Sequence, residues 1–212
     1  MTASAAQPVA RRGVRMTGQE RREQLLDVGR AVFAERGFDA ATVEEIAERA
    51  RVSKPIVYTH FGGKEGLFAV VVDREVQQLL SRITTALDAP HPREALDRAA
   101  EAFLSYVEEE QDGFRILVRD APAAATRTGT YASLIGDIAA NVEDLLAQEF
   151  GLRGYDRKLA PLYARALVGM VALVGEWWLD AGKPKRSEVR AHLVNLAWNG
   201  LGALDKKPPK RR

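Results

Sequence analysis

Several side chains that can hydrogen-bond a polyanion lie close together between Val52 and Lys64, in the stretch VSKPIVYTHFGGK. The Ser, Lys, Tyr, Thr and His residues in this stretch can each reach a phosphate oxygen, and the small Thr can also approach the edge of a base. This chemistry is recognition and not catalysis, because it needs donors on one surface and no activated nucleophile. The elements that carry these side chains must present them on a common face.

Other kinds of chemistry lack the residues they require. The chain has 212 residues and no cysteine, which excludes disulfides, thiolate metal sites and a cysteine nucleophile. Its three histidines, His60, His91 and His192, are far apart in the sequence, so we expect no metal site and no cofactor. Without a Gly-rich phosphate loop or a serine nucleophile motif, we predict that the chain is not an enzyme. A helical enzyme that uses a C-terminal pocket is the remote alternative.

The charge is distributed unevenly along the chain. Residues 1–64 carry a net charge of +3, residues 65–205 carry −6, and residues 206–212 carry +5. A basic N-terminal part joined to an acidic body suggests that the N-terminal part meets a polyanion such as nucleic acid.

The N-terminus and the apolar runs indicate the compartment. Residues 1–15 contain no apolar segment of the kind that a secretory signal has. The longest apolar run, residues 166–175, is too short to cross a bilayer, which requires about 20 residues. We therefore expect a cytoplasmic protein without a membrane partner.

Apolar residues recur at helical spacing almost throughout, and strand-like alternation is absent, so the sequence predicts an all-α fold. The predicted helices cover about 17–36, 42–50, 53–61, 64–88, 93–110, 112–120, 129–149, 158–181 and 187–204. These helices predict four segments: a disordered N-terminal arm (1–16), a helix-turn-helix domain (17–63), a helical effector-binding and dimerisation domain (64–205) and a basic tail (206–212).

The helix-turn-helix prediction depends on helix-start signals. Thr42 precedes an apolar stripe and has Glu45 three residues later, which is typical of a capping box. Ser53 is a favourable N-cap, and Pro55 falls in the first turn, where its missing N–H costs nothing. Two short helices joined by a tight turn therefore follow a longer supporting helix.

A helical wheel at about 100° per residue divides the second short helix into two faces. Val57 and Phe61 point together toward the supporting helices. The outward face, which is small enough to enter a DNA major groove, is formed by Pro55, Ile56 and Thr59, with Tyr58 and His60 on its flanks. The predicted phosphate contacts are Lys54, Tyr58, His60 and Lys64, together with the helix starts at Thr42 and Ser53.

Residues 17–68 resemble the N-terminal domain of the tetracycline-repressor (TetR-like) family of bacterial transcription regulators. The matching stretch is ATVEEIAERARVSKPIVYTHFGGKEGLF, with T-x-x-x-I-A-x-x-A-x-V-S followed by Y-x-x-F-x-x-K-x-x-L. The resemblance implies a two-fold dimer whose three-helix DNA-binding domain is linked by a fourth helix to a larger ligand-binding and dimerising domain. Beyond residue 80 the resemblance is architectural only.

The same resemblance implies roles for individual residues. Residues 53–60 would be the recognition helix, and Thr42, Tyr58, His60 and Lys64 would contact the DNA backbone. Ile56 and Thr59 depart from the residues that many family members have at these positions. These departures bear on which operator is read.

The helix predicted at 158–181 is apolar nearly all round, so its own domain can cover only part of it. We therefore expect an isologous dimer, with a monomer as the alternative. The predicted interface residues are Leu167, Val171, Val174, Trp178, Val189, Leu193, Leu196, Ala197, Gly200 and Leu201.

An effector pocket is expected among the helices of the body, although ordinary core packing also explains each of its aromatic residues. The predicted pocket residues are Phe103, Tyr106, Phe114, Leu117, Arg119, Met170, Glu176 and Trp177. The resulting functional hypothesis is a repressor that binds a palindromic double-stranded operator as a homodimer and is released by a small apolar or amphipathic effector. The alternative is a DNA-binding regulator without such an effector, either partner-controlled or an activator.

Overall fold

The computed structural model describes residues 16–119 and 131–204, and every regular element in these ranges is helical. The all-α prediction is therefore confirmed. The helices are α1 (Gly18–Ala40), α2 (Val43–Arg49), α3 (Lys54–Phe61), α4 (Lys64–Leu87), α5 (Pro92–Glu109), α6 (Gln111–Arg119), α7 (Tyr131–Arg153), α8 (Ala160–Ala181) and α9 (Arg186–Gly202), with a short 3-10 helix at Arg157–Leu159. The predicted basic tail and all but the last residue of the predicted N-terminal arm lie outside the described residues.

Helices α1 to α3 and the start of α4 share one apolar core. Phe33 of α1 meets Phe68 of α4 edge to face, with ring centroids 5.0 Å apart, and Ile46 of α2 and Val57 of α3 are fully buried. Helices as short as α2 and α3 are not stable alone, so this core holds them in place. Because α4 begins inside this core and continues into the body, the predicted domain boundaries at 17–63 and 64–205 stay predictions.

Local signals fix where these helices begin and end. The Thr42 hydroxyl accepts a hydrogen bond from the Glu45 amide at 3.2 Å, as the sequence predicts. The Glu45 carboxylate does not complete a capping box, because it pairs with Arg49 at 2.7 Å and Arg36 at 3.4 Å. At Gly37 the backbone of α1 leaves helical geometry, which agrees with the helix end predicted there.

Two glycines turn the chain sharply between α3 and α4. Gly62 has φ 74° and Gly63 has φ 131°, in a region of backbone space that L side chains rarely adopt. Gly62 also donates its amide hydrogen bond to the Tyr58 carbonyl at 2.8 Å, which closes the last turn of α3. The Gly-Gly pair thus orients α3 against the long helix α4 that leads into the body.

The body is a bundle in which α4 packs on α5 and α7, α7 packs along α8, and α5 contacts α8 and α9. Arg190 of α9 binds Glu101 of α5 at 3.0 Å, and Arg186 binds Glu108 at 2.7 Å. The shortest helix of the bundle, α6, packs against α1, α4 and α5. It therefore connects the body with the N-terminal helices.

One helical stretch in the described ranges, Arg157–Ala181, is long and apolar enough to cross a bilayer by length and composition, and 22% of its most apolar window is buried inside the protomer. The core helix of a soluble protein can satisfy the same criteria. Its exposed apolar side chains include Leu162, Leu173 and Trp177, which are 62%, 66% and 56% exposed. At helical spacing these three residues fall on one face, which the protomer does not cover.

Candidate functional site

Helix α3 presents a narrow outward face, as the wheel predicts. Val57 is fully buried and Phe61 packs partly against the core, whereas Pro55 and Thr59 are exposed and Tyr58 is 54% exposed. The Thr59 hydroxyl donates to the Pro55 carbonyl at 2.8 Å, so its oxygen can still accept a hydrogen bond. A face of this size fits the width of a major groove.

Ile56 departs from the predicted orientation. The sequence predicts that it points outward with Pro55 and Thr59, but its side chain is half-buried and packs against the core of the N-terminal helices. Ile56 is only one residue, or about 100°, from the buried Val57, and its large apolar side chain gains more from the core than from water. Base contact by Ile56 is therefore limited to the part of the side chain that remains exposed.

The two predicted helix-start residues differ in their hydrogen bonds. Thr42 uses its hydroxyl oxygen to cap α2, which leaves the hydroxyl hydrogen to donate to a phosphate. Ser53 precedes α3 in extended geometry and makes no side-chain capping bond, so its hydroxyl can both donate and accept. Both positions stay predicted phosphate contacts.

The predicted basic and aromatic phosphate contacts lie around α3. Lys54 in the first turn forms an ion pair with the Glu44 carboxylate of α2, and both side chains are more than half exposed. The half-buried His60 ring lies 6.2 Å from the Phe61 ring. To make the predicted phosphate contact, Lys54 would have to leave Glu44 or share its charge between Glu44 and the phosphate.

Lys64 is placed differently from the prediction. Its ammonium donates to the Phe38 carbonyl at 2.9 Å, approaches the Asp39 carbonyl at 3.4 Å and lies 4.5 Å from the centre of the Phe38 ring. The carbonyls that follow the break at Gly37 attract this ammonium, because they have lost their helical partners. Lys64 thus joins the start of α4 to the end of α1, which leaves its predicted phosphate contact without geometric support.

Two charged residues beside α3 were not among the predicted contacts. Glu44 lies on the surface next to Lys54, and Arg51 is exposed in the turn between α2 and α3 with φ 55°. The position of Arg51 two residues before Ser53 is a sequence signal that could have identified it. No comparable signal marks Glu44, because its pairing with Lys54 depends on the angle between α2 and α3.

An apolar cavity of about 320 Å³ lies in the body, between α4, α5, α7, α8 and α9. Its walls include Ile83, Phe103, Ile138, Val168 and Trp198. This volume is at the lower end of the range for small-molecule sites, which are usually apolar with few polar groups. The cavity can hold an apolar or amphipathic molecule of modest size.

The cavity is not where the sequence places the pocket. Of the predicted pocket residues, Phe103 lines this cavity. Tyr106, Phe114 and Leu117 are fully buried in the core, Arg119 donates to backbone carbonyls of α1, Met170 and Glu176 are half-buried elsewhere, and Trp177 is exposed. The apolar pattern of α5 and α6 identifies buried faces, but it does not show which of them faces a void.

Most of the predicted dimer-interface residues are covered by their own protomer or line its cavity. Trp178, Val189, Leu193 and Ala197 are buried inside the protomer, and Val174 packs partly against its core. Leu167, Val171 and Leu201 line the cavity. Leu196 and Gly200 are exposed, as an interface requires, and Leu162, Leu173 and Trp177 provide the exposed apolar face of α8 that the sequence did not single out. A helix that is apolar all round gives no pattern from which to choose its outer face.

Helix α6 is bound directly to the end of α1. The Arg119 guanidinium donates to the Phe33 carbonyl at 2.8 Å and to the Ala34 carbonyl at 3.1 Å. Phe114 and Leu117 of α6 are fully buried in the core that α1 shares. A movement of α6 would therefore displace α1, which shares the apolar core with α3.

Comparisons with known proteins agree with this arrangement. Residues 25–71 match the family described as "Bacterial regulatory proteins, tetR family", and residues 92–200 match "Tetracyclin repressor-like, C-terminal domain". The chain is 34% identical over 195 residues to the HTH-type transcriptional activator FasR of Mycolicibacterium smegmatis, covering 90% of this chain and 87% of that protein.

Solved structures show the same fold. A TetR-like transcriptional regulator from Rhodococcus sp. RHA1 is similar with a TM-score of 0.70 and 29% identity, covering 90% of this chain and 100% of that chain. The TetR family regulator PfmR from Thermus thermophilus gives a TM-score of 0.67 and 26% identity, covering 84% of this chain and 98% of that chain. The chain therefore belongs to the TetR family of bacterial transcriptional regulators, which are non-enzymatic proteins that bind operator DNA.

Proposed function

We propose that this protein is a cytoplasmic, ligand-responsive regulator that binds a two-fold operator as a homodimer and responds to a small apolar or amphipathic effector. The observation that carries the proposal is the apolar cavity of about 320 Å³ in the body of a DNA-binding protein. The exposed apolar face at Leu162, Leu173 and Trp177 supports the homodimer, because a partner helix would remove it from water.

Two of the cavity-lining helices provide a route by which a ligand could act on DNA binding. Leu79 and Ile83 of α4 line the cavity, while Leu67 and Phe68 of the same helix are in the core with α3. Phe103 of α5 lines the cavity and meets Phe114 of α6 edge to face, with ring centroids 5.7 Å apart. A ligand that pushes α4 or Phe103 would shift the recognition helices of a dimer relative to each other.

The spacing of the two recognition helices decides operator affinity. They enter successive major grooves only when they lie about one helical turn, 34–36 Å, apart. A ligand that fits a differently spaced dimer lowers operator affinity by its preference for that state and by no more. A tenfold release requires about 1.4 kcal/mol of this preference.

The test is a pair of calorimetric titrations. Straight-chain carboxylates of short, medium and long chain length, together with polycyclic hydrocarbons, are titrated into the protein with and without saturating operator. The operator is a duplex selected by the protein from a randomised library. Operator DNA must change the affinity of a true effector by the factor with which the effector changes operator binding. Equal affinities in the two titrations would leave a DNA-binding regulator controlled by some other means.

A second candidate concerns the sign of regulation. The relative that shares 34% identity with this chain is named a transcriptional activator, whereas the sequence alone favours a repressor. Transcription in vitro from a template carrying the selected operator distinguishes the two. A repressor lowers the transcript yield as protein is added, and an activator raises it.

A further inference from the structure

A buried polar cluster lies where the N-terminal helices meet the body. Among the described residues, Glu75 of α4 is the only polar or charged residue buried in the core, with 2% of its surface exposed. Its Oε1 atom lies 2.8 Å from Arg30 Nε of α1, and its Oε2 atom accepts a 2.6 Å hydrogen bond from the Tyr106 hydroxyl of α5. One carboxylate therefore joins three helices.

The cluster continues to the corner between α5 and α6. Arg30 Nη2 lies 2.6 Å from Glu110 Oε2, and Glu110 is the residue between the end of α5 and the start of α6. Gln78 donates to the other oxygen of Glu110 at 3.3 Å. Arg30 thus connects the reading domain, which comprises α1 to α3, with both α4 and the α5–α6 corner.

Helix α6 closes over this cluster without a side chain in between. A Cβ atom at Gly113 would collide with the Glu75 carboxylate and lie 2.9 Å from Arg30 Nη2. Only glycine allows the backbone of α6 to approach so closely. A displacement of α6 would therefore change the surroundings of the Arg30–Glu75 pair directly.

Side chains do not fill the space between α1 and α4 beside the cluster. A polar cavity of about 270 Å³ lies between α1 and α4 beside the cluster, and its lining includes Asp27, Arg30, Glu75, Gln78 and Glu110. The Arg30 Nε–H is not aligned with a hydrogen-bond acceptor, although the 2.8 Å distance to Glu75 makes the contact an ion pair. The charged contacts of Arg30 across this gap add to the apolar packing that α1 and α4 share nearer the start of α4.

The hydroxyl of Tyr106 is suited to its position as a donor. Its burial, and then the neighbouring Glu75 carboxylate, raise the pKa of Tyr106 well above its ordinary value. The phenol therefore remains protonated and donates to Glu75. Glu75 keeps one partner from the body even when its contact with Arg30 is broken.

We propose that Arg30 is a positioning residue for operator binding, and that its contacts with Glu75 and Glu110 fix the angle between the reading domain and the body. The inference rests on the proposed binding of a dimer to two half-sites. It adds that Arg30 helps to set the distance between the two recognition helices. Arg30 touches no DNA in this role. Its loss would leave the contact with one half-site intact and would weaken the requirement for one spacing between two half-sites.

The test uses the full-length protein and the operator selected by it from a randomised duplex library. Affinity is measured for this operator, for versions with one base pair inserted or removed between the half-sites, and for a single half-site. The main variant combines Arg30→Met with Glu75→Gln, which removes both charges together and leaves an amide oxygen that can accept from Tyr106. The matched control combines Arg74→Met with Glu23→Gln, an exposed pair that also joins α4 to α1 at 2.8 Å.

We expect the wild-type protein and the control to prefer the selected spacing by about tenfold or more over the altered ones. In the Arg30/Glu75 variant this preference should fall to within about threefold, with half-site affinity unchanged. Equal spacing preference in wild type and variant would overturn the role of Arg30, and so would an equal loss on half-site and full operator. A wild-type protein indifferent to spacing would instead refute the two-half-site proposal.

A second variant keeps the test decisive if the double variant does not fold. Glu110→Gln removes only the half-buried outer charge and leaves Glu75 with both Arg30 and Tyr106. We expect it to reduce the spacing preference by a smaller factor while thermal unfolding stays cooperative. An unchanged preference in this folded variant would count against the proposal in the same way.

Discussion

Trp177 and Trp178 are adjacent in the chain, but 56% of Trp177 is exposed and only 6% of Trp178. The indole N–H of Trp178 donates to the Pro184 carbonyl at 2.7 Å and thereby ties the end of α8 to the turn before α9. Trp177 points away from the body on the same face as Leu162 and Leu173. Trp178 therefore belongs to the interior of the protomer, and Trp177 belongs to the surface that we propose as the dimer interface.

We predict that Trp177→Glu produces a folded monomer, because it places a charge in the proposed apolar interface. Trp178→Ala should lower the free energy of unfolding by about 3–5 kcal/mol, because it leaves a cavity in the core. Light scattering at micromolar concentration reports the mass, and thermal unfolding reports the stability. A Trp177→Glu variant that remains dimeric would show that the interface lies elsewhere.

Leu196 provides an independent test of the α9 contribution to the interface. Its side chain is 61% exposed, whereas that of Leu193, three residues earlier, is 6% exposed. We expect Leu196→Glu to weaken dimerisation with little effect on the protomer, and Leu193→Glu to prevent correct folding. Sedimentation at several protein concentrations, compared with circular dichroism of the same samples, distinguishes the two outcomes.

Thr59→Ala should change which operator is preferred, because Thr59 is exposed on the outward face of α3. A groove-facing residue discriminates among bases by about 1–3 kcal/mol. Thr84→Ala is a matched control, since its hydroxyl donates to the Leu80 carbonyl at 2.9 Å in the same way but far along α4. Binding to a duplex library at fixed salt measures the effect. An identical sequence preference in wild type and Thr59→Ala would mean that α3 is turned differently on DNA.

Lys64→Met should reduce stability more than it reduces DNA affinity. The substitution removes the charge-assisted bonds to the Phe38 and Asp39 carbonyls, which contribute about 1.5–3 kcal/mol in comparable cases. Denaturant unfolding measures this loss. The slope of log affinity against log salt should stay the same, whereas loss of a phosphate contact would reduce it by about 1. A reduced slope would restore Lys64 as a phosphate contact.

Filling the apolar cavity should remove effector binding and leave DNA binding intact. Ala172 is 6% exposed and lines the cavity, so Ala172→Phe would occupy part of its volume of about 320 Å³. Ala47→Ser is a control in the reading domain, at a buried position far from this cavity. The titrations with carboxylates and polycyclic hydrocarbons, repeated on these variants, test the assignment. Unchanged effector affinity in Ala172→Phe would place the effector in another site.

The helix starts between Thr42 and Phe61 could be predicted from the sequence, because their signals are local. The helix starts after Thr42 and Ser53 and the inward position of Val57 follow from spacing within a few residues. Ile56 marks the limit of this reasoning. Its side chain is large enough to reach the core from the edge of the outward face.

The helices of the body could be predicted from the sequence, but the side chains that form its cavity and its outer face could not. Lys64 meets carbonyls 25 and 26 residues earlier in the chain, and no periodicity reports such a contact. Tyr106 has an apolar ring suited to a pocket wall, yet its hydroxyl is used by Glu75, 31 residues away. The outer face of α8 could not be predicted either, because the helix carries apolar side chains on all of its faces.

The ion pair between Lys54 and Glu44 has a consequence for how the protein searches a genome. In the absence of DNA, the Glu44 carboxylate offsets the Lys54 charge at the start of α3, which reduces the attraction of this part of the surface for arbitrary sequences. Since binding to non-operator DNA is almost entirely electrostatic, a smaller positive charge at the start of α3 shortens each encounter with non-operator DNA. Shorter encounters let a DNA-binding protein sample more sites in a given time.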